Sequence, residues 1–286
     1  MIPAEFDYVA PGTLEEALRR LAAEPGAKLL AGGMSLIPAM KHRLAQPPLL
    51  VDLARVPGLA GVAASGGALR IGALTPHGAL LAGDAARALP ILAEAAALIG
   101  DVQVRSRGTF GGSLVHADPA GDWPAVFLAL GGEAKLASAK GGRTVRAEDF
   151  FVSMLTSALR EDEVLTEVSL PLAPGRRGSA YRKLRQPASG FALVGVAAVV
   201  DLDARGRIER AALGVTGVNA VPFRARSVEA RLAGGETSAG ALREACARVD
   251  EADPMDDLHA SADYRGHLLP VLAARALAAA CARAAP

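Results

Sequence analysis

The sequence predicts an α+β protein in two parts: residues 1–176, themselves divided near residue 55, and a smaller α+β domain over 177–286 made of antiparallel sheet plus helices. Three observations predict this. Strand and helix patterns alternate through the first half of the chain. Two glycine-centred segments lie among them, Ala31-Gly32-Gly33-Met34-Ser35-Leu36 and Thr109-Phe110-Gly111-Gly112-Ser113. The texture then changes beyond Pro171-Leu172-Ala173-Pro174-Gly175-Arg176-Arg177-Gly178, which reads as a linker.

Thr13-Leu14-Glu15-Glu16 has the spacing of a capping box, and Leu14, Ala17, Leu18 and Leu21 recur at helical period, so a helix is expected from Leu14 to Ala23. Pro25-Gly26 ends it. Lys28 to Ala31 reads as a short strand feeding the first glycine segment, and Leu49 to Leu53 as another, completing a compact α/β unit. Ala68 to Leu74 opens the next unit as a strand. Thr75-Pro76 offers a cap and a first-turn proline for a helix. A longer helix is expected over Ala85–Ile99, then the second glycine segment, then a helix over the apolar run Pro124–Leu130. Asp122 stands where its cap belongs, and that role is compatible with ligand contact. Strands are expected at Glu133–Ala137 and Glu163–Leu170. Beyond the linker, Phe191–Leu202 and Arg207–Val215 read as strands joined by the turn Asp203-Ala204-Arg205-Gly206, followed by helices over Val228–Leu232, Ala239–Val249 and Ala262–Arg283.

At 286 residues the chain is long enough for two cores. It is 51% hydrophobic and 21% charged, with 31 basic and 30 acidic residues. That balance argues against nucleic acid or an anionic membrane surface as partner. Met1–Glu5 lacks the basic start and apolar stretch of a signal peptide, and Leu268–Ala280, interrupted by Arg275, is too short to span a bilayer. The sequence therefore reads as cytoplasmic and without a membrane span. Its two cysteines, Cys246 and Cys281, are far apart, so the chain has no cluster of thiolates for iron–sulfur or structural zinc. The five histidines lack metal-ligand spacing and read as surface or loop residues. No metal site is expected, and no side-chain pair suggests acid–base or nucleophilic catalysis.

The two glycine segments have the local character of phosphate cradles. Glycine lets backbone N–H groups approach an anion, and a following helix adds a favourable dipole. Two cradles suit a ligand with two phosphates, hence a dinucleotide. Neither is a G-x-G-x-x-G or P-loop fingerprint, and Gly66-Gly67, Gly131-Gly132, Gly141-Gly142 and Gly234-Gly235 show how ordinary a glycine pair is. Ser35 adds a hydroxyl to the first segment. Arg105 and Arg107 offer either phosphate neutralisation or a surface ion pair.

The flanks carry a family resemblance. Lys28-Leu29-Leu30-Ala31-Gly32-Gly33-Met34-Ser35-Leu36-Ile37-Pro38-Ala39-Met40-Lys41 resembles the first FAD loop of the molybdenum hydroxylase flavoproteins, and Gln103-Val104-Arg105-Ser106-Arg107-Gly108-Thr109-Phe110-Gly111-Gly112-Ser113 resembles the second. The resemblance, to the medium subunits of the xanthine dehydrogenase and aerobic carbon monoxide dehydrogenase family, runs over nearly the whole chain. It implies a two-subdomain FAD-binding domain of the PCMH/VAO type ahead of the C-terminal domain. It implies FAD contacts from Lys28 through Leu36, from Thr109 through Ser113, and from Asp122 near the ribityl–phosphate region. Within Lys183-Leu184-Arg185-Gln186-Pro187-Ala188-Ser189-Gly190-Phe191 it puts Lys183 near the polar edge of the isoalloxazine and Phe191 beside it, with Leu165 packing on the ring. The chain departs from the family pattern at Met34 for histidine, Phe110 for isoleucine, Ser113 for Asn or Asp, and Gly190 for an acid; Phe110 is expected beside or over the ring.

By the same resemblance, the molybdenum cofactor belongs to a large subunit and two [2Fe–2S] clusters to a small one, with FAD here passing electrons to NAD⁺, a quinone or oxygen. The missing cysteine clusters agree with clusters housed elsewhere. A self-sufficient FAD reductase or oxidase of the same fold, or a flavin-free assembly subunit, is the alternative.

Overall fold

The computed structural model describes residues 1–285. Its first sheet is parallel and small. β1 (Asp7–Val9), β3 (Leu49–Asp52) and β2 (Lys28–Leu30) lie in that order, with α1 (Leu14–Ala23) and α2 (Leu36–Lys41) between them in sequence. Thr13 caps α1 by accepting from Glu16 N at 3.2 Å, and the Glu16 carboxylate reaches back to Gly12 N. The helix buries Ala17, Leu18 and Leu21 against Val51 and Leu53, the face its period predicts.

The second unit is a five-stranded antiparallel sheet of order β4 (Val62–Ser65), β5 (Ala68–Gly72), β10 (Val164–Pro171), β6 (Glu133–Ser138) and β7 (Gly141–Arg146). Between β5 and β6 run α3 (Gly83–Ala88), α4 (Pro90–Ala97), α5 (Val102–Arg107), α6 (Phe110–His116) and α7 (Asp122–Leu130); β8 (Phe151–Ser153) and β9 (Thr156–Ser157) form a separate small hairpin. Several expectations are corrected here. Thr75 does not cap a helix: its buried hydroxyl pairs with both the N–H and the C=O of Gly61, and only a 3₁₀ turn follows at His77–Leu80. The helix expected over Ala85–Ile99 is two, broken at Leu89, because Pro90 lacks an N–H and disfavours helical geometry in the residue before it. Helix α5 and strand β7 were not expected. Helix α7 starts at Asp122 itself after Gly121, with no side-chain cap.

In the C-terminal domain β11 (Arg177–Arg185), β12 (Ala192–Leu202), β13 (Ile208–Thr216) and β14 (Phe223–Arg224) form an antiparallel sheet in sequence order, followed by α8 (Arg226–Leu232), α9 (Ala239–Cys246) and α10 (Ala262–Ala284). β11 was read as linker and coil; its run of small and charged residues hides the alternation. The long Val/Ala run of β12 is explained by burial on both faces. Val194, Val196, Ala198 and Val200 join the core that α10 covers, while Ala197 and Val199 join the core around α7. Helix α10 has 23 residues and enough apolar character to cross a membrane by length and composition. The expectation that this tail is too short is thus corrected, but its Leu269, Leu272, Ala276, Leu277 and Ala280 are packed in the domain core.

Charge joins the two parts. Glu94 on α4 accepts from Tyr181 N at 2.8 Å, from Arg182 at 3.0 Å, and from Arg283 on α10. Burial opposes the charge on Glu94, but these donors outweigh it and hold the carboxyl below its ordinary range. The native state therefore releases this proton more readily than the unfolded chain. The stabilisation is present above the usual carboxylate pKa of about 4.3 and is lost as pH falls through the lowered value. Glu94→Ala is expected to cost about 1–3 kcal/mol near neutrality. Urea unfolding should show the gap between variant and wild type narrowing as pH is taken below 4.

Candidate functional site

The two glycine segments meet. A Cβ on Gly32 would stand 2.1 Å from the Arg107 carbonyl oxygen and 2.8 Å from Gly108 Cα, so only glycine allows the two backbones to touch. A cavity of about 660 Å³ opens at their junction, within the range of small-ligand and cofactor sites. Its lining spans both units of the N-terminal part and the loop before β12.

The first segment leaves its donors open. Gly33 takes φ +75°, and the carbonyls of Gly33 and Ser35 accept from Ile37 and Ala39 as α2 begins. Among the described residues, no acceptor pairs with the amides of Gly32, Gly33, Met34, Ser35 or Leu36. Five successive N–H groups without a protein acceptor thus stand beside a cavity at the carboxyl end of a parallel strand, an arrangement that suits anions in general.

The second segment differs from its expected form. Gly111 and Gly112 lie inside the first turn of α6, and Thr109 is its cap. The amides there already have partners: Phe110 N donates to Thr75 O, Gly111 N to Ala73 O, Gly112 N to Thr109 Oγ1, and Ser113 N to Thr109 O. Gly111 is required by packing, since a Cβ would stand 2.6 Å from Ala73 Cβ. Arg105 neutralises nothing in the cavity; its guanidinium donates to the carbonyls of Ile99 and Gly100 and fixes the turn that precedes α5.

Of the residues singled out in the sequence, Lys28, Leu29, Ala31, Gly32, Gly33, Met34, Ser35 and Leu36 line the cavity. So do Thr109, Gly111, Gly112, Ser113, Asp122, Leu165 and Phe191. Three are placed elsewhere. Leu30 is half-buried behind the first segment. Phe110, expected at the ring, is fully buried and meets Trp123 edge-on with centroids 4.8 Å apart; as the first residue of α6 its side chain turns into the core. Lys183 is sealed beneath the cavity floor, its side chain 1% exposed. Its ammonium lies 2.8 Å from Asp122 Oδ1 and 2.6 Å from the Gly190 carbonyl. Tyr181 donates its hydroxyl to the same Asp122 oxygen at 2.6 Å. Burial pushes the Asp122 carboxyl up, and Lys183 and Tyr181 oppose that shift; burial beside Asp122 drives the Tyr181 phenol well above its usual value. Asp122 is thus an ion-pair partner that anchors β11 to α7.

Sequence reasoning missed His77. It is 5% exposed, lines the cavity, and accepts from Trp123 Nε1 at 3.0 Å through Nδ1. The available signal was the chain's single tryptophan, whose buried N–H requires an acceptor. Among the described residues no group of three His, Cys, Asp or Glu side chains is placed to hold a metal ion. Cys246 and Cys281 are buried, and burial pushes their thiols up to about 12 and about 11, so neither is a reactive thiolate.

Fold and cavity together define a cofactor-binding domain with open main-chain donors. Residues 4–173 match the family described as the FAD binding domain in molybdopterin dehydrogenase, and residues 179–280 match the CO dehydrogenase flavoprotein C-terminal domain. The chain is 39% identical to the 6-hydroxypseudooxynicotine dehydrogenase complex subunit alpha of Paenarthrobacter nicotinovorans, over 100% of this chain and 98% of that one. It is 38% identical to the carbon monoxide dehydrogenase medium chain of Hydrogenophaga pseudoflava, over 100% of each. The solved carbon monoxide dehydrogenase of H. pseudoflava lacking the Mo-pyranopterin moiety superposes with a TM-score of 0.95 at 39% identity, over 100% of both chains. The chain belongs to the FAD-binding medium subunits of the molybdenum hydroxylase family. It is a flavoprotein component of an oxidoreductase, with FAD as its cofactor.

Two predictions follow from the geometry. Lys183→Met leaves Asp122 buried without its partner and is expected to cost about 3–5 kcal/mol in urea unfolding. Gly32→Ala drives a methyl into the Arg107 carbonyl and should separate the two segments, with FAD titration showing loss of binding. Gly240→Ala, where a Cβ meets nothing within 4 Å, should bind FAD as wild type does.

Proposed function

We propose that this chain is the electron-transfer relay of a heteromeric molybdenum hydroxylase. The observation that carries the reading is the run of unpaired amides from Gly32 to Leu36 beside a cavity of dinucleotide-compatible size. Those amides hold the pyrophosphate of FAD, with Ser35 adding a hydroxyl and Ser113 facing them across the cavity. Leu165 and Phe191 supply apolar surface for the isoalloxazine, and Leu29 and Lys28 lie toward the adenosine side. Asp122 shapes the ribityl region while paired to Lys183. The FAD-binding part ends near residue 176 and the C-terminal domain occupies the remainder.

FAD bound here supplies a centre that accepts electrons singly and releases them singly or in pairs. The chain's contribution is position and electrostatics: donors for the phosphates and an apolar wall. Electrons arrive from [2Fe–2S] clusters of an iron–sulfur small subunit, and substrate is oxidised in a molybdenum-binding large subunit. The lack of a cysteine cluster in this chain and the subunit names of its relatives support that division. The acceptor is external: NAD⁺, a quinone or oxygen. The assembly is cytoplasmic.

The full chain is expected to bind one FAD non-covalently, released by acid precipitation, because no histidine or cysteine lies in either glycine segment. In the complex, substrate should bleach the flavin. Removing FAD from this chain should leave the iron–sulfur centres reducible by substrate but abolish turnover with the acceptor. Turnover of an organic substrate by the chain alone, or full acceptor activity without its flavin, would refute the relay.

A further inference from the structure

His77 sits where the two glycine segments converge, yet neither segment contains it. Its own N–H donates to the Gly108 carbonyl at 2.9 Å. Its ring packs so closely under Gly108 that a Cβ there would stand 2.7 Å from Nε2. Trp123 fills the other side of the ring and donates to Nδ1. That bond settles the tautomer: an imidazole that accepts at Nδ1 carries its proton at Nε2 when neutral. Among the described residues nothing accepts from Nε2. The nitrogen is also not sealed from solvent, since among the described residues the one fully buried side-chain nitrogen without a partner is Arg265 Nε. His77 is 5% exposed and lines the cavity, so the cavity is the opening available to Nε2.

We propose that His77 is a binding residue of the FAD site, presenting a fixed, uncharged Nε2–H donor to an acceptor oxygen of the cofactor. The inference rests on the FAD reading above and adds an imidazole donor to a site otherwise served by main-chain amides and the Ser35 hydroxyl. Burial lowers the imidazole to about 4, so near neutral pH the ring is neutral and keeps both its bond to Trp123 and its outward proton. Trp123 thereby becomes a positioning residue: it selects the tautomer and ring angle, while Gly108 keeps the space that the ring requires.

The two ring nitrogens can be separated by substitution. His77→Asn retains an oxygen near Nδ1 to accept from Trp123 but has no donor at Nε2. His77→Gln carries an N–H at the reach of Nε2. The full-length apoprotein is titrated with FAD by flavin fluorescence, and its melting temperature is recorded without FAD. His77→Asn is expected to melt near wild type but to bind FAD about 10–100-fold more weakly, the loss typical of a hydrogen bond to a charged or strongly polar acceptor. His77→Gln is expected to recover most of that affinity. Repeating the titration with ADP assigns the acceptor: a matching loss places it on the ADP half, and an unchanged ADP affinity places it on the flavin half. Wild-type protein labelled with ¹⁵N-histidine provides a readout that needs no variant. One imidazole should show the Nε2–H tautomer, with its proton resonance shifting on FAD addition. Wild-type affinity in His77→Asn, or an Nε2 resonance indifferent to FAD, overturns the inference and leaves the FAD reading intact. Failure of the wild-type chain to bind FAD defeats the FAD reading itself.

Discussion

The contact of Gly32 with the Arg107–Gly108 backbone is the constraint on which the site depends. It joins the small parallel sheet to the helical layer of the second unit with no side chain between them. One face of this junction is the cavity. The other is solid core, in which His77, Trp123 and Phe110 pack in series. The close packing of the core side fixes the backbone of the first segment, and a fixed backbone is the pre-organisation a tight cofactor site requires.

The C-terminal domain completes the site through the loop that precedes α7. The Thr216 hydroxyl lies between the carbonyls of Pro119 and Gly121, which share its one proton, Gly217 N donates to Pro119 O, and Ala192 N donates to Ala120 O. Arg265, buried on α10, holds the carbonyls of Leu193 and Gly217 from behind. Together with the Asp122–Lys183 pair, these bonds tie the floor of the cavity to the second domain. Phe191, 45% exposed, lines the cavity from the same strand end. The cavity proposed for FAD is thus lined from both parts of the chain, although most of its lining residues come from the N-terminal part.

Much of this was legible in the sequence where the signal is local. The capping box at Thr13, the hairpin turn Asp203–Gly206, the long final helix and the strand-to-helix turn of the first glycine segment follow from short-range patterns and stand where those patterns put them. What was not legible depends on partners distant in sequence. Asp122 has the look of a helix cap, and only the arrival of β11 turns it into a buried ion pair. Phe110 looks like a ring contact until Trp123 claims its face. Gly111 and Gly32 share the same local chemistry, yet one has its N–H tied to Ala73 and the other leaves it open. His77 has no motif at all; its role is set by one tryptophan 46 positions away.

The central claim is that the amides from Gly32 to Leu36 are the phosphate donors. Hydrogen–deuterium exchange of the full-length protein, with and without FAD, tests it directly. FAD is expected to slow exchange most strongly in the peptide covering Gly32–Leu36, whose amides have no protein acceptor among the described residues. FAD binding that leaves exchange of this peptide unchanged would contradict it.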